Sequence, residues 1–168
     1  SILGDARSIN MQKIMNVKIK LREEFRPFAP SVLSEKASEY FDIKTSSPYM
    51  LLIADIRKKY RLAIKEKDKK LTGLAQLGVK RSVVPAITHI DNSARLQTVH
   101  KEMNPLYHKL ISLFDKTHKC PVIINTSFNI RGEPIVCTPK DAFECFMGTD
   151  MDLLVMGNYY LEKKQQVK

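Results

Sequence analysis

Residues 121–146, PVIINTSFNIRGEPIVCTPKDAFECF, set two stiff elements on either side of a polar turn. Val122, Ile123 and Ile124 form a β-branched apolar run that reads as a short buried strand. Thr138, Pro139 and Asp141 then open a helix. The Thr caps, the Pro takes a first position that needs no N–H, and the Asp reaches back from the third. Ala142, Phe143, Phe146 and Met147 make the helix's apolar face, and Gly148 ends it. A strand and a capped helix so close together call for a sheet with helices packed on it.

The rest of the chain extends that expectation. SINMQKIMN, residues 8–16, has mixed helical spacing and predicts a short helix. VKIKLR, residues 17–22, alternates strictly and predicts a strand with a cationic face. FRPFAPS follows, where Pro27 and Pro30 enforce an extended, stiff segment. Ser34 is placed to cap a short helix through Tyr40. PYMLLIADI, residues 48–56, reads as a buried strand. PAITHID and ARLQTV read as strands joined by the turn formers Asp91, Asn92 and Ser93. Residues 105–118 carry Leu106, Leu110, Leu113 and Phe114 at helical spacing, with Asn104 as cap and Pro105 in first position. LLVMGNYYLE reads as a last strand, and the tail KKQQVK as a frayed end. The fold class expected is α/β with α+β character, a twisted mixed β-sheet with packed helices.

The chain has 168 residues, which suits one domain, and 43% are hydrophobic, enough for a core. No run approaches the ~20 apolar residues of a membrane span, and no cationic-then-apolar leader opens the sequence. Cys120, Cys137 and Cys145 show no metal or disulfide spacing, so a reduced, cytoplasmic setting with three small core cysteines is expected. The four histidines show no metal spacing either. Asp55 and Asp91 end strands, where turn and cap roles outweigh a metal.

The net charge is +10, and its distribution is uneven. Residues 57–81 hold ten Lys or Arg against Glu66 and Asp68, so this segment carries eight of the ten net charges. It reads as a mobile basic insertion. It also motivates an alternative reading as a nucleic-acid-binding module. Its single aromatic, Tyr60, leaves little to stack bases on, which makes nucleic acid an unlikely partner.

Three stretches could carry chemistry. In the 121–146 turn, Ser127, Asn125 and Asn129 offer polar groups at a strand end, Arg131 adds a phosphate-matching fork, and Gly132 permits close approach. No partner in the stretch activates Ser127 as a nucleophile, and on this stretch alone satisfying the turn's own backbone is the favoured reading. In KIKLREEFRPFAPS, Lys20, Arg22 and Arg26 lie among Phe25 and Phe28. Cations beside aromatics suit a nucleotide, but taken alone a solvated face neutralised by Glu23 and Glu24 is the better reading. Arg95, inside SARLQTV, calls for a carboxylate or a ligand anion.

Taken in order, NVKIKLREEFRPFAPSVL, SARLQTV and PVIINTSFNIRGEPIVCTPKDAFECF resemble the carboxy-terminal domain of the O-carbamoyltransferases that decorate nodulation factors and antibiotics. The resemblance covers almost the whole chain except residues 57–81, and SILGDAR resembles the linker that precedes this domain. It implies a YrdC-like fold, with residues 1–16 as linker and leading helix and 17–168 as one domain. It implies binding of ATP, Mg²⁺ and carbamoyl phosphate, and formation of carbamoyl adenylate. The carbamoyl group would then pass to an acceptor hydroxyl in an actin-like amino-terminal domain in cis. Carried onto this chain, the resemblance makes Lys20, Arg26 and Arg95 catalytic and puts Arg22, Phe28, Ser127, Asn129 and Arg131 against substrate and nucleotide. It assigns no metal ligand.

Overall fold

The computed structural model describes residues 1–166. A five-stranded mixed sheet, order β1-β5-β2-β4-β3, forms its centre. The strands are β1 (Ile2–Asp5), β2 (Ala29–Leu33), β3 (Leu52–Asp55), β4 (Ser93–Val99) and β5 (Val122–Thr126). Only β2 and β4 run parallel, and every other neighbouring pair is antiparallel. The helices are α1 (Met11–Ile14), α2 (Ser34–Tyr40), α3 (Glu66–Lys69), α4 (Pro105–His118) and α5 (Pro139–Met147). A separate hairpin pairs β6 (Leu153–Met156) with β7 (Tyr159–Glu162). The expected α/β class with a mixed sheet is therefore present.

Side-chain alternation gives the sheet two apolar faces. On one, Val32, Leu96, Val122 and Ile124 join Met15, Phe41, Ile56 and Phe146 in the main core. On the other, Leu33, Val99 and Ile123 meet Ile111 of α4, with Tyr107 and Phe114 packed against them. Each large side chain fully buried here contributes roughly 1.5–3 kcal/mol. Gly4 explains how the first helix lies so close to β1, because a Cβ there would meet Met15 Sδ at 2.6 Å.

The local capping chemistry is as expected. Asn104 accepts from the Tyr107 N–H at the start of α4. Thr138 and Asp141 exchange bonds at the start of α5, forming a full capping box.

Several expectations are corrected. VKIKLR is not a strand. Residues Met15–Ile19 continue α1 as a π-helical turn, which buries Met15, Asn16 and Ile19 and leaves Val17 and Leu21 exposed. An apolar spacing of four, Met15 to Ile19, outweighs the period-two pattern once the sheet edges are filled by β1 and β3. FRPFAPS is extended as expected at its end, where Ala29, Pro30 and Ser31 open the central strand β2. Its Pro30 is tolerated because the parallel ladder with β4 begins one residue later, at Ser31. Residues 48–56 are not a buried strand, since β3 is a four-residue edge strand with Ile53 64% exposed. PAITHID forms a 3-10 turn over Pro85–Ile87. LLVMGNYYLE is a hairpin, turned at Gly157 with φ 58°.

The stripe on α4 is also displaced. Leu106, Leu110 and Leu113 are exposed, Leu106 at 81%, while Ile111, Tyr107 and Phe114 turn inward. On α5, Phe143 is exposed and Cys145 buried. Cys120 is buried as expected, whereas Cys137 is exposed in the loop before α5. Ser34 makes no capping bond to α2.

The segment expected as a linker contributes β1, paired along β5. Residues 57–81 are tied at both roots: Tyr60 stacks on Tyr40 at 4.0 Å, and Arg61 bridges to Ser82. Arg57, Lys59, Arg61 and Lys69 pair with Asp42, Glu39, Asp55 and Glu66, so four of the segment's ten cations are neutralised locally. Of the tail, Lys163–Gln165 form a 3-10 turn, and residues 167–168 lie outside the described residues.

Candidate functional site

Lys20 follows the π-helical turn directly. That turn aims its side chain past the end of β5 into the loop Ser127–Asn129. Lys20 is 3% exposed. Its ammonium donates to the Ser127 carbonyl at 2.8 Å, the Asn129 carbonyl at 2.7 Å and Asn129 Oδ1 at 2.7 Å, with Ser127 Oγ at 3.2 Å. Ser127 Oγ in turn donates to Asn129 Oδ1 at 2.7 Å, and the Arg131 N–H donates to the Lys20 carbonyl at 3.0 Å. Burial first, and the Arg22 charge second, push the Lys20 pKa down to about 8.

Lys20 therefore braces the turn, because its three N–H groups are already committed to protein oxygens. The expected exposed cationic face is corrected accordingly. Both sequence readings of the turn meet here, since Asn129 and Ser127 satisfy local groups while remaining at the strand end.

The loop between the π-helical turn and β2 carries the other cations. Asn16, with no exposed surface, organises it. Asn16 Oδ1 accepts from Arg22 Nε at 2.7 Å, and its Nδ2 donates to the Arg26 carbonyl at 2.8 Å and the Glu24 carbonyl at 3.1 Å. Gln12 adds a second donor to the Arg26 carbonyl at 3.2 Å. The Arg22 guanidinium lies over the Phe28 ring at 4.8 Å, and burial lowers its pKa. Phe28 itself is buried in the main core.

Arg26 and Arg131 meet through one carboxylate. Glu23 accepts from Arg26 Nε at 3.1 Å and from Arg131 Nη1 at 2.8 Å. Its own backbone N–H and then the two guanidinium charges hold its carboxyl below the usual range. Glu24 pairs with Lys13 at 3.2 Å. The neutralising role read for these two acids holds for Glu23, whereas Glu24 neutralises Lys13 of α1 instead.

Arg95 stands apart. It is exposed on β4 and has no hydrogen bond or ion pair among the described residues. Among the described residues no carboxylate pairs with it, and its side of the sheet is open at that point. By alternation it shares a face with Gln97. Gln97 Oε1 accepts from Asn125 Nδ2 at 3.0 Å and from Ser31 Oγ at 2.7 Å. A polar row thus crosses β4, β2 and β5 on the face that also presents Arg95.

The structure brings Lys20, Ser127, Asn129 and Arg131 together, and joins Arg26 to Arg131 through Glu23. It sets Arg95 on the neighbouring open face without contact to them. Asn16 and Gln97 were not singled out from sequence, whereas Asn125, which Gln97 joins to Ser31, was. Four cations near one strand end, with a hydroxyl and two amides, suit a ligand that carries phosphate. Among the described residues no group of three His, Cys, Asp or Glu could hold a metal ion, and no helix is long and apolar enough to cross a membrane.

Comparison with known proteins matches residues 1–163 to the family described as Carbamoyltransferase C-terminus. The chain is 55% identical over 99% of its length to an uncharacterised protein of Synechocystis, covering 27% of that protein. It is 38% identical over 98% of its length to nodulation protein NolO of Bradyrhizobium diazoefficiens, covering 27% of it. It is 29% identical over 95% of its length to the 3'-hydroxymethylcephem-O-carbamoyltransferase of Streptomyces clavuligerus, covering 26% of it. The chain thus spans about a quarter of the length of these relatives.

Proposed function

This chain belongs to the Carbamoyltransferase C-terminus family, and from that premise we propose that it is the carboxy-terminal part of a larger O-carbamoyltransferase. In this reading it binds ATP and carbamoyl phosphate and joins them into carbamoyl adenylate. An amino-terminal actin-like domain in cis then receives the carbamoyl group and passes it to an acceptor hydroxyl, all in the cytoplasm. The observation that carries the proposal is that Lys20 bonds the Ser127–Asn129 turn across 107 residues of sequence, while Glu23 gathers Arg26 and Arg131 beside that turn.

The chemistry asks for this kind of site. Two polyanions repel each other, and several preorganised cations lower that cost. Carbamoyl phosphate loses its phosphoryl group to water as inorganic phosphate. The released carbamate oxygen then attacks the α-phosphorus of ATP, and pyrophosphate leaves. Arg26 and Arg131 would release Glu23 to take the phosphate oxygens, and Arg95 would meet a further oxygen from the open sheet face. Arg22, held over the buried Phe28 ring, borders the nucleotide. Lys20 holds Ser127 and Asn129 in place and contributes its positive charge from behind the turn. Losing one such contact costs on the order of 2–4 kcal/mol of barrier.

Magnesium enters as part of the nucleotide. The site's own residues are mostly cationic and do not make a magnesium site among the described residues.

The test is pyrophosphate release from ATP, carbamoyl phosphate and Mg²⁺, measured on the complete protein. Pyrophosphate that depends on carbamoyl phosphate supports the proposal. A complete protein that binds both substrates and releases none overturns it. Three cations of residues 57–81 are held by acids outside the segment, and its single aromatic leaves little to stack bases on, which favours this reading over nucleic-acid binding.

A further inference from the structure

A cavity of about 440 Å³ opens beside the first loop, between Phe25 and Pro27 on one side and the segments 76–81 and 86–91 on the other. Its walls are largely apolar, with Leu77, Val79, Ile87 and Ile90 among them. Arg81 also lines it. Arg81 is only 7% exposed, yet its side chain makes a single hydrogen bond, from Nη2 to the Gln76 carbonyl at 3.2 Å. No carboxylate lies within ion-pair distance among the described residues.

A guanidinium has five N–H donors and never gives up its charge. Burying one without a carboxylate is costly unless an anion completes it. The other nine cations of residues 57–81 stay more exposed, and several of them have acidic partners, so Arg81 is the exception in its own segment. Asp91 lines the same cavity but does not pair with Arg81. Its Oδ1 instead accepts from the Ser93 N–H at 2.9 Å. His89, also in the wall, is engaged with Ser93 Oγ at 3.1 Å. Neither supplies the missing counter-charge.

We propose that this cavity binds a small organic anion, with its acidic group on the Arg81 guanidinium and a flat apolar body against Ile87, Ile90 and Leu77. The fork of Arg81 matches both carboxylate and phosphate, and the cavity's size suits one ring system. The inference needs only Arg81 and the cavity, and it does not depend on carbamoyl chemistry.

Titration calorimetry with benzoate, phenyl phosphate and inorganic phosphate tests it. The two aromatic anions are expected to bind with a Kd in the millimolar range or tighter. Inorganic phosphate should bind about tenfold or more weakly, because it cannot use the apolar wall. Whichever aromatic anion binds more tightly tells carboxylate from phosphate preference. Arg81→Gln should weaken binding about tenfold or more. Ile90→Trp, at an exposed wall position, should block the cavity without disturbing the core, and it keeps the test open if Arg81→Gln fails to fold. Equal binding of wild type and Ile90→Trp would overturn the proposal. So would equal affinity for inorganic phosphate and phenyl phosphate, or no binding of either aromatic anion at about 10 mM.

Discussion

Lys20 Nζ sits 2.8 Å from the carbonyl oxygen of Ser127, a bond that ties two segments 107 residues apart. The same ammonium reaches the Asn129 carbonyl at 2.7 Å, so one buried charge fixes the whole turn after β5. Lys20→Met keeps most of the apolar stem and removes every donor. It leaves two carbonyls without a partner, and each such group costs about 1–3 kcal/mol. Urea unfolding should show a loss of about 2–3 kcal/mol, and Lys20→Arg should not restore it, because a planar fork does not fit the four oxygens. A loss under about 0.5 kcal/mol would mean the turn holds itself.

The same lysine makes stability depend on alkaline pH. Its folded pKa is pushed down to about 8 from 10.5 by burial and by Arg22. Between those values the unfolded chain binds more protons than the folded one, so this group's contribution to stability rises with pH. The penalty for burying the charge is present below about pH 8 and is relieved by pH 10.5. A shift of this size is on the order of 3 kcal/mol. Comparing wild type with Lys20→Met cancels the other titrating groups. The stability gap between them should widen from pH 8 to 10.5, and a constant or shrinking gap refutes the assignment.

Glu23 occupies both guanidinium groups that the proposed reaction needs free. An incoming phosphate must displace it. Glu23→Gln removes that competition, and both ion pairs lie at the surface, where each is modest. Carbamoyl phosphate should bind about twofold to fivefold more tightly to the variant by calorimetry at low salt, with the difference fading as salt rises. Weaker binding would show instead that Glu23 positions the arginines for the anion.

What could be read from sequence was the chemistry that acts between near neighbours. The caps Asn104 and Thr138 depend on residues three positions away, and they appear as expected. The strand at Val122, Ile123 and Ile124 was legible because β-branched residues have few other uses at that density. The failures share a cause as well. Val17, Ile19 and Leu21 fit a strand, while Met15 and Ile19 fit a helix, and only the occupied sheet decides between them. On α4, Leu106, Leu110 and Leu113 compete with Tyr107, Ile111 and Phe114 for the same spacing, so sequence alone does not say which stripe faces β5. Arg81 is one of ten similar residues until burial separates it. Asn16 left no trace, because two of its three partners are main-chain carbonyls, which carry no residue identity.

Asn16 therefore provides a test that sequence could not have suggested. Its amide uses both ends, accepting from Arg22 and donating to the carbonyls of Glu24 and Arg26. Asn16→Asp keeps the volume and the acceptor but replaces the donors with a second oxygen facing two carbonyls. Asn16→Ala removes everything and opens a small void in a site with no exposed surface. Both should lower stability by about 2 kcal/mol or more, since each strands buried carbonyls. The two should differ at Arg22. Asp still receives its Nε–H and strengthens that bond through charge, whereas Ala frees the guanidinium. Titration with ATP should then show weaker binding in both variants, with Asn16→Ala losing more than Asn16→Asp. If the two variants lose ATP affinity equally while differing in stability, Asn16 supports the fold alone and does not aim the arginine.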